Sequence, residues 1–140
     1  MTRLLPLAAV VFLSFVMSSF AGEAKVPSLV GTWTATSTVS FVKGTAESSM
    51  TLVVTAQSGA NFHGYMTWSR FGKDPASAKE GFAGVVDFDG KTIVIAQDTG
   101  GGLMRGTLSG KNAMKVLFAQ AAQPKSQTTL AFRAILTRKK

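Results

Sequence analysis

Residues 31–41, "GTWTATSTVSF", decide the fold class, because large and small side chains alternate along them with a period of two. Trp33, Val39 and Phe41 fall on one side of this pattern, while threonine and serine fill the other side. Successive side chains of a β-strand point to opposite faces of a sheet. The stretch therefore predicts a strand with one buried face and one solvated face.

The same alternation recurs up to the C-terminus. It is found in residues 48–57, 62–70, 81–88, 91–97, 103–110, 113–120 and 127–138. Turn residues separate these segments, none has a convincing helical period, and short strands at this spacing are typical of sandwiches and barrels. We predict an all-β fold, an antiparallel up-and-down barrel of about eight strands, with a two-sheet β-sandwich as the alternative.

Two glycine-containing stretches are predicted to be turns between strands. Asp89-Gly90 is the strongest hairpin signal in the chain. The second stretch is "DTGGG" at residues 98–102, where glycine accepts positive φ without penalty. Its turn glycines are Gly100, Gly101 and Gly102. An anion-binding loop is the alternative for this stretch.

The Asp98-Thr99-Gly100 triplet also resembles the signature of aspartic proteases. In that family an aspartate from each of two motifs shares one proton. The chain has one copy, so the resemblance implies a symmetric homodimer that uses Asp98. We expect no enzyme and no catalytic residue, and keep this homodimer as the alternative.

The N-terminus predicts export. Arg3 precedes an apolar run from Leu4 to Met17, and small residues follow at Ser19 and Ala21. This is the pattern of a secretory signal peptide, which predicts cleavage after residue 21 and a periplasmic or secreted protein that does not span the membrane. Cleavage after Ala24 and an uncleaved membrane anchor are the alternatives. A polar lead-in at 22–29 and a single barrel domain at 30–140 complete the predicted organisation. The absence of cysteine excludes disulfides.

The charge balance favours anionic partners. The formal net charge is +8, and cleavage after residue 21 removes one base, Arg3, and no acid, which leaves +7. Envelope lipids and polysaccharides are candidate partners, whereas nucleic acid would lie across a membrane from an exported protein. The one histidine, His63, and the dispersed acids predict no metal site, and nothing in the chain indicates a cofactor.

Aromatic residues dominate the predicted inward face. Four of them are the candidate ligand-binding residues: Trp33, Phe62, Trp68 and Phe82. The others on that face are Phe41, Phe88, Phe118 and Phe132. These side chains either fill the barrel completely or line a cavity that opens at one end.

Gly31-Thr32-Trp33 at the start of the first strand of a small barrel resembles the calycins, which include lipocalins and avidins. The resemblance implies that Trp33 closes one end of the barrel beside an arginine of the last strand. Arg133 is the first match for that arginine and Arg138 the second. It also implies a non-enzymatic protein that binds a small apolar, amphipathic or anionic ligand.

Several short stretches also resemble a set of uncharacterised exported bacterial proteins of similar length. These stretches are "GTW", "GYMTW", "FAGVVDFDGKTI", "DTGGG" and "GTL". This second resemblance implies a fold and no activity. The alternative function is an interaction module of the cell envelope with a solid core, acting through a loop at 71–80 and the basic surface.

Overall fold

Eight antiparallel strands form a closed barrel in the computed structural model, which describes residues 24–70, 78–122 and 128–140. The strands are β1 (Gly31–Phe41), β2 (Gly44–Ser58), β3 (Asn61–Arg70), β4 (Glu80–Val86), β5 (Thr92–Gln97), β6 (Gly102–Leu108), β7 (Ala113–Gln120) and β8 (Leu130–Arg138). Each strand pairs with the next, and β8 pairs with β1. The predicted all-β barrel is confirmed, and the fold is not the two-sheet sandwich.

The alternation of side chains becomes an inside and an outside. In β6, residues 102, 104 and 106 are buried and residues 103, 105 and 107 are exposed, and β7 and β8 repeat this pattern. The inward aliphatic and aromatic side chains form one continuous core. Burial of apolar area on this face is what selects the register, because a slip of one residue would turn the core side chains outward.

Glycines on β3 and β4 make room for two phenylalanines inside the barrel. Phe62 pairs with Gly84, and Phe82 pairs with Gly64, so each ring lies beside a residue without a side chain. A Cβ at Gly84 would overlap the ring of Phe62. The two rings meet edge to face with centroids 6.2 Å apart. This arrangement assigns Phe62 and Phe82 to the packed core.

Alternate strand connections define the two ends of the barrel. Residues 24–30 lie at one end, together with the β2–β3, β4–β5 and β6–β7 connections; we call it the plugged end. The connections β1–β2, β3–β4, β5–β6 and β7–β8 lie at the other end, which we call the loop end. The two longest connections in the barrel belong to the loop end.

The structure corrects one predicted inward residue. Phe88 is 84% exposed, because β4 ends at Val86 and the chain turns immediately afterwards. The backbone N–H of Gly90 donates to the carbonyl of Asp87 at 2.9 Å, which closes that turn, and the N–H of Phe88 donates to the Asp87 side chain. The predicted signal peptide (1–21) and most of the predicted loop at 71–80 lie outside the described residues, and Glu80 is the first residue of β4.

Within the described residues, no helix has the length and apolarity needed to cross a bilayer.

Candidate functional site

An aromatic cluster lies near the loop end. Phe118 and Phe132 are cross-strand neighbours on β7 and β8 and stack with centroids 5.0 Å apart. Trp68 of β3 reaches across the barrel to both rings, at 5.5 Å from Phe118 and 5.4 Å from Phe132. Both phenylalanines are buried, whereas Trp68 is half-buried. The cluster therefore has a dry base and one large aromatic side chain that is accessible to solvent.

A buried amide borders this cluster. Gln97, the last residue of β5, is 8% exposed and points into the barrel. Its Oε1 accepts from the backbone N–H of Gly102 at 3.0 Å, and its Nε2 donates to Glu80 Oε2 at 3.0 Å. The same Nε2 lies 3.2 Å from the sulfur of Met66. Gln97 thus joins β5, β6 and β4 and holds a carboxylate in place at the rim of the barrel.

The space around Gly102 brings the amide and the aromatic cluster together. A Cβ at Gly102 would overlap both Gln97 Oε1 and the ring of Phe118. Only a residue without a side chain lets these two groups approach each other here. The loop end therefore combines an aromatic surface with fixed hydrogen-bonding groups, the combination typical of small-molecule sites.

The "DTGGG" stretch connects β5 and β6 at this end. Asp98 is exposed, and its backbone N–H donates to the carbonyl of Gly81 at 2.9 Å. The side chain of Thr99 donates to Glu80 at 3.4 Å. Gly101 has φ of 63°, the left-handed conformation that favours glycine. Gly100 and Gly101 belong to the connection between the strands.

Gly102, the third glycine of that stretch, is not part of the turn that the sequence predicts. Gly102 is the first residue of β6, is buried, and bonds to Gln97.

Trp33 closes the plugged end. It is fully buried, and its indole N–H donates to the carbonyl of Leu29 at 2.9 Å. Leu29 is itself 1% exposed and is held by the Gln57 side chain, which accepts from its N–H at 2.7 Å. Gln57 also donates to the carbonyl of Pro27 at 3.0 Å. The residues before β1 thus pack across this end and seal it.

The arginine beside Trp33 is Arg138, and the first match, Arg133, is wrong. Arg138 pairs with Trp33 across β8 and β1, and its guanidinium lies 4.5 Å from the indole centroid. It also donates to the carbonyl of Ser28. Arg133 is exposed on the outer face. The reason is parity: Phe132, Ala134 and Leu136 point inward, so 138 shares their side and 133 does not.

The four candidate ligand-binding residues do not form one site, although Phe62 and Phe82 contact each other in the core. Trp33 lies at the plugged end, and Phe62 and Phe82 pack in the core at 3% and 5% exposure. Trp68 belongs to the loop-end cluster. Phe118 and Phe132 were expected to face inward but were not singled out as ligand residues, and Glu80 and Gln97 were missed. Period-two counting along β5 puts Gln97 on the same side as Ile93 and Ile95, which is the signal that would have found it.

The described part of the chain contains no group of three or more metal-ligating acidic, histidine or cysteine side chains. His63 is exposed on the outer side of β3. The predicted turn at Asp89-Gly90 connects β4 and β5, with Gly90 at φ of 66°. The Thr92 hydroxyl and the backbone N–H groups of Thr92 and Lys91 all donate to Asp89, which lowers the pKa of its carboxyl from 3.8 to about 2.

The described residues form a closed, eight-stranded, up-and-down antiparallel barrel with one plugged end. Two solved structures are similar to it. The S-type phycobiliprotein lyase CPES from Guillardia theta is 11% identical with a TM-score of 0.56, covering 80% of this chain and 89% of the lyase chain. The protein EF1p2_mFAP2b bound to DFHBI is 14% identical with a TM-score of 0.56, covering 79% and 94% of the two chains. At these identities the likeness concerns the fold. No protein-family model and no curated protein sequence matches the chain.

Proposed function

We propose that the protein binds a small apolar or amphipathic ligand at the loop end of its barrel and does no chemistry on it. The observation that carries the proposal is the cluster of Trp68 on Phe118 and Phe132, in which a half-buried indole covers two buried rings. An aromatic or long aliphatic ligand would bury contact area on this surface without any rearrangement of the packed core. The plugged end offers no equivalent surface, because Leu29 and Trp33 are sealed there.

The polar groups beside the cluster would set the orientation of the ligand. Gln97 and Glu80 are already held by each other and by the backbone of Gly102, so a ligand meets them in a fixed position. Fixed polar groups next to an apolar wall give specificity in such sites. One of the two similar barrels was solved bound to DFHBI, and the shared fold supports a ligand-binding role for this chain too.

Single-tryptophan variants test the proposal, because the chain has two tryptophans, one at each end. Trp33→Phe leaves Trp68 as the only reporter, and Trp68→Phe leaves Trp33. The probes are 8-anilinonaphthalene-1-sulfonate and palmitate, added to each variant while tryptophan emission is recorded. We expect saturable quenching or a spectral shift in Trp33→Phe and no response in Trp68→Phe. Equal responses from both variants, or none from either, would contradict a loop-end site.

A matched pair of truncations checks that the cluster supplies affinity. Phe132→Ala removes one ring of the cluster, and Met114→Ala removes a buried side chain on β7 near the plugged end. Both changes weaken the fold by cavity formation. Only Phe132→Ala is expected to weaken probe binding, by about tenfold, which corresponds to about 1.4 kcal/mol. Equal weakening by the two would mean that the affinity follows general stability.

We also propose that the ligand is bound outside the cytoplasm, since residues 1–21 have the signal-peptide pattern. The measurement is the intact mass of the protein recovered from a bacterial periplasmic extract. A chain that begins at Gly22 supports export with the expected cleavage, and a full-length cytoplasmic chain contradicts it.

A further inference from the structure

The outer face of β6, β7 and β8 carries a row of alternating charge and apolar surface. Arg105 pairs with Leu117, and Leu117 pairs with Arg133, so the three outward side chains lie directly beside one another across three strands. Antiparallel neighbours are about 5 Å apart at Cα, which puts the two arginines about 10 Å apart on either side of the leucine. All three side chains are exposed.

The adjacent rows repeat the combination. Lys115 lies between Thr107 and Ile135 in one row, and Leu103 lies beside Ala119 in the other. Leu117 is 64% exposed, Ile135 58% and Leu103 54%. We call this surface the cationic face, defined by Leu103, Arg105, Lys115, Leu117, Arg133 and Ile135.

No acidic residue lies on β6, β7 or β8, the strands that carry the cationic face. Asp98 is the last acid of the sequence, and eight bases follow it before the C-terminus. The neighbouring strands β1 and β5 contain no charged residue either. At physiological ionic strength a charge acts over about 8 Å. The positive potential of Arg105, Lys115 and Arg133 is therefore not cancelled by an acid on any of these five strands.

The face is also recessed. A groove of about 770 Å³ runs over it, with Arg105, Lys115 and Arg133 among its walls. Gly106 and Ala134 also line the groove, and because their positions in the alternation face the barrel interior, backbone forms part of the groove floor. The cations stand around a shallow depression in which Leu117 is accessible.

We propose that the cationic face docks on an anionic phospholipid bilayer. Arginine and lysine extend apolar stems along a surface and place their charged ends at phosphate groups. The exposed leucines and isoleucine between them would enter the interfacial region, as the apolar side chains of surface-bound elements do. Arg105 and Arg133 supply the charge contact, and Leu117 the apolar contact.

Two other occupants fit the face less well. A second copy of the chain would bring arginines and lysine against arginines and lysine, with no acid to pair them. A protein–protein hot spot typically combines tryptophan or tyrosine with arginine in well-packed pockets, and the cationic face offers the arginines without the aromatic residues. Along β6, β7 and β8, which the structure describes throughout, the outward residues include no aromatic side chain. A fluid, negatively charged surface needs no such pocket.

Vesicle co-sedimentation tests the proposal. The full chain without residues 1–21 is mixed with vesicles of phosphatidylglycerol and phosphatidylcholine, or of phosphatidylcholine alone, at 0.1 M and 0.5 M salt. We expect binding to the anionic vesicles that weakens at high salt, and none to the neutral vesicles. Absence of binding to anionic vesicles at 0.1 M salt overturns the proposal. It does so even if the same face is found to bind an acidic protein.

A charge-matched pair of variants locates the binding surface. Arg105→Glu with Arg133→Glu reverses two charges on the face, and Lys25→Glu with Lys43→Glu reverses two exposed charges elsewhere. Each base near an anionic bilayer strengthens binding about fivefold, so the first variant is expected to lose about 25-fold or more. The second variant is expected to lose much less. Equal losses would mean that binding follows net charge and overturn the assignment.

An apolar pair tests the role of Leu117. Leu117→Ser changes an exposed residue of the face, and Val42→Ser changes a residue in the β1–β2 turn that is 82% exposed. We expect weaker vesicle binding, by about threefold to tenfold, for the first variant alone. Circular dichroism and melting temperature confirm that all variants are folded. No effect of Leu117→Ser would remove the apolar contact from the proposal.

Discussion

The two ends of the barrel each contain a tryptophan, and they use it differently. Trp33 at the plugged end is fully buried, its N–H is bonded, and Arg138 covers its ring. Trp68 near the loop end is half-buried against two phenylalanines. At the plugged end, the tryptophan closes the barrel. The loop end presents an aromatic surface, which is why the proposed ligand site lies there.

The hydrogen bonds show the same difference. At the plugged end, residues 27–29 satisfy Trp33, Gln57 and Arg138 through backbone groups that lie outside the strands. At the loop end, Gln97 donates to Glu80 and accepts from Gly102, the first residue of β6. The segment that closes the plugged end is held by hydrogen bonds to the barrel, whereas the hydrogen bonds at the loop end connect neighbouring strand ends. Stability is therefore expected to depend more strongly on the plugged end.

Truncation of the two tryptophans is the strongest test of that difference. We expect Trp33→Ala to lower the free energy of unfolding by about 3–5 kcal/mol, because it leaves a cavity and an unpaired Leu29 carbonyl. Trp68→Ala removes a ring that is partly in water already, so about 1–3 kcal/mol is expected. Urea denaturation followed by circular dichroism measures both. Equal losses would contradict the division between a closing end and a binding end.

Substitution of Gly102, near the loop end, is expected to give the next largest loss of stability. Gly102→Ala would press a methyl group against Gln97 Oε1 and the Phe118 ring, so a loss of about 1–3 kcal/mol is expected. Gly81→Ala is the matched control on β4, where a Cβ would meet Asp98 at an ordinary 3.6 Å. We expect little change or slight stabilisation for that control. A harmless Gly102→Ala would show that the amide and the ring are not held as close together as the structure has them.

Substitution of Arg138, at the plugged end, is expected to give a smaller loss of stability. Arg138→Ala removes the cation over Trp33 and a hydrogen bond to Ser28, for an expected loss of about 1–2 kcal/mol. Arg133→Ala changes an exposed residue of the same strand, and a change within about 0.5 kcal/mol is expected. Thermal unfolding compares the two directly. A larger loss for Arg133→Ala would restore the first match from the sequence.

The fold was largely predictable from the sequence, because period-two alternation is repeated in all eight strands. The number of strands and the inward position of Phe118 and Phe132 follow from that pattern. The antiparallel order follows from the short turns between the strands, which leave no room for a helical crossover. The period-two pattern mispredicts which side chains are buried where it continues past the end of a strand. Phe88 continues the inward series of β4, but Asp87 has already turned the chain.

The site was less predictable, because it depends on contacts between distant strands. The indole of Trp68 meets Phe118 and Phe132 from the other side of the barrel, 50 or more positions along the chain. Gln97 looks like an ordinary polar residue before a turn until the register brings Glu80 beside it. The arginine beside Trp33 was predictable, because counting along β8 from Phe132 in steps of two places Arg138, and not Arg133, on the inward side.

Acid titration gives the smallest expected effect and compares two Asp-containing turns at opposite ends. At the plugged end, Thr92 and Lys91 lower the pKa of Asp89 from 3.8 to about 2, whereas at the loop end the Thr99 hydroxyl bonds to Glu80. A carboxyl with a lowered folded-state pKa stabilises the fold above its unfolded pKa, and this contribution is lost as pH falls from about 4 towards 2. We expect Thr92→Val to raise the pKa of Asp89 towards 3.8, since it removes the largest cause, and Thr99→Val to leave it unchanged. Carbon-detected NMR titration of the Asp89 carboxyl measures both. An unchanged pKa in Thr92→Val would mean that the backbone N–H groups alone hold this turn.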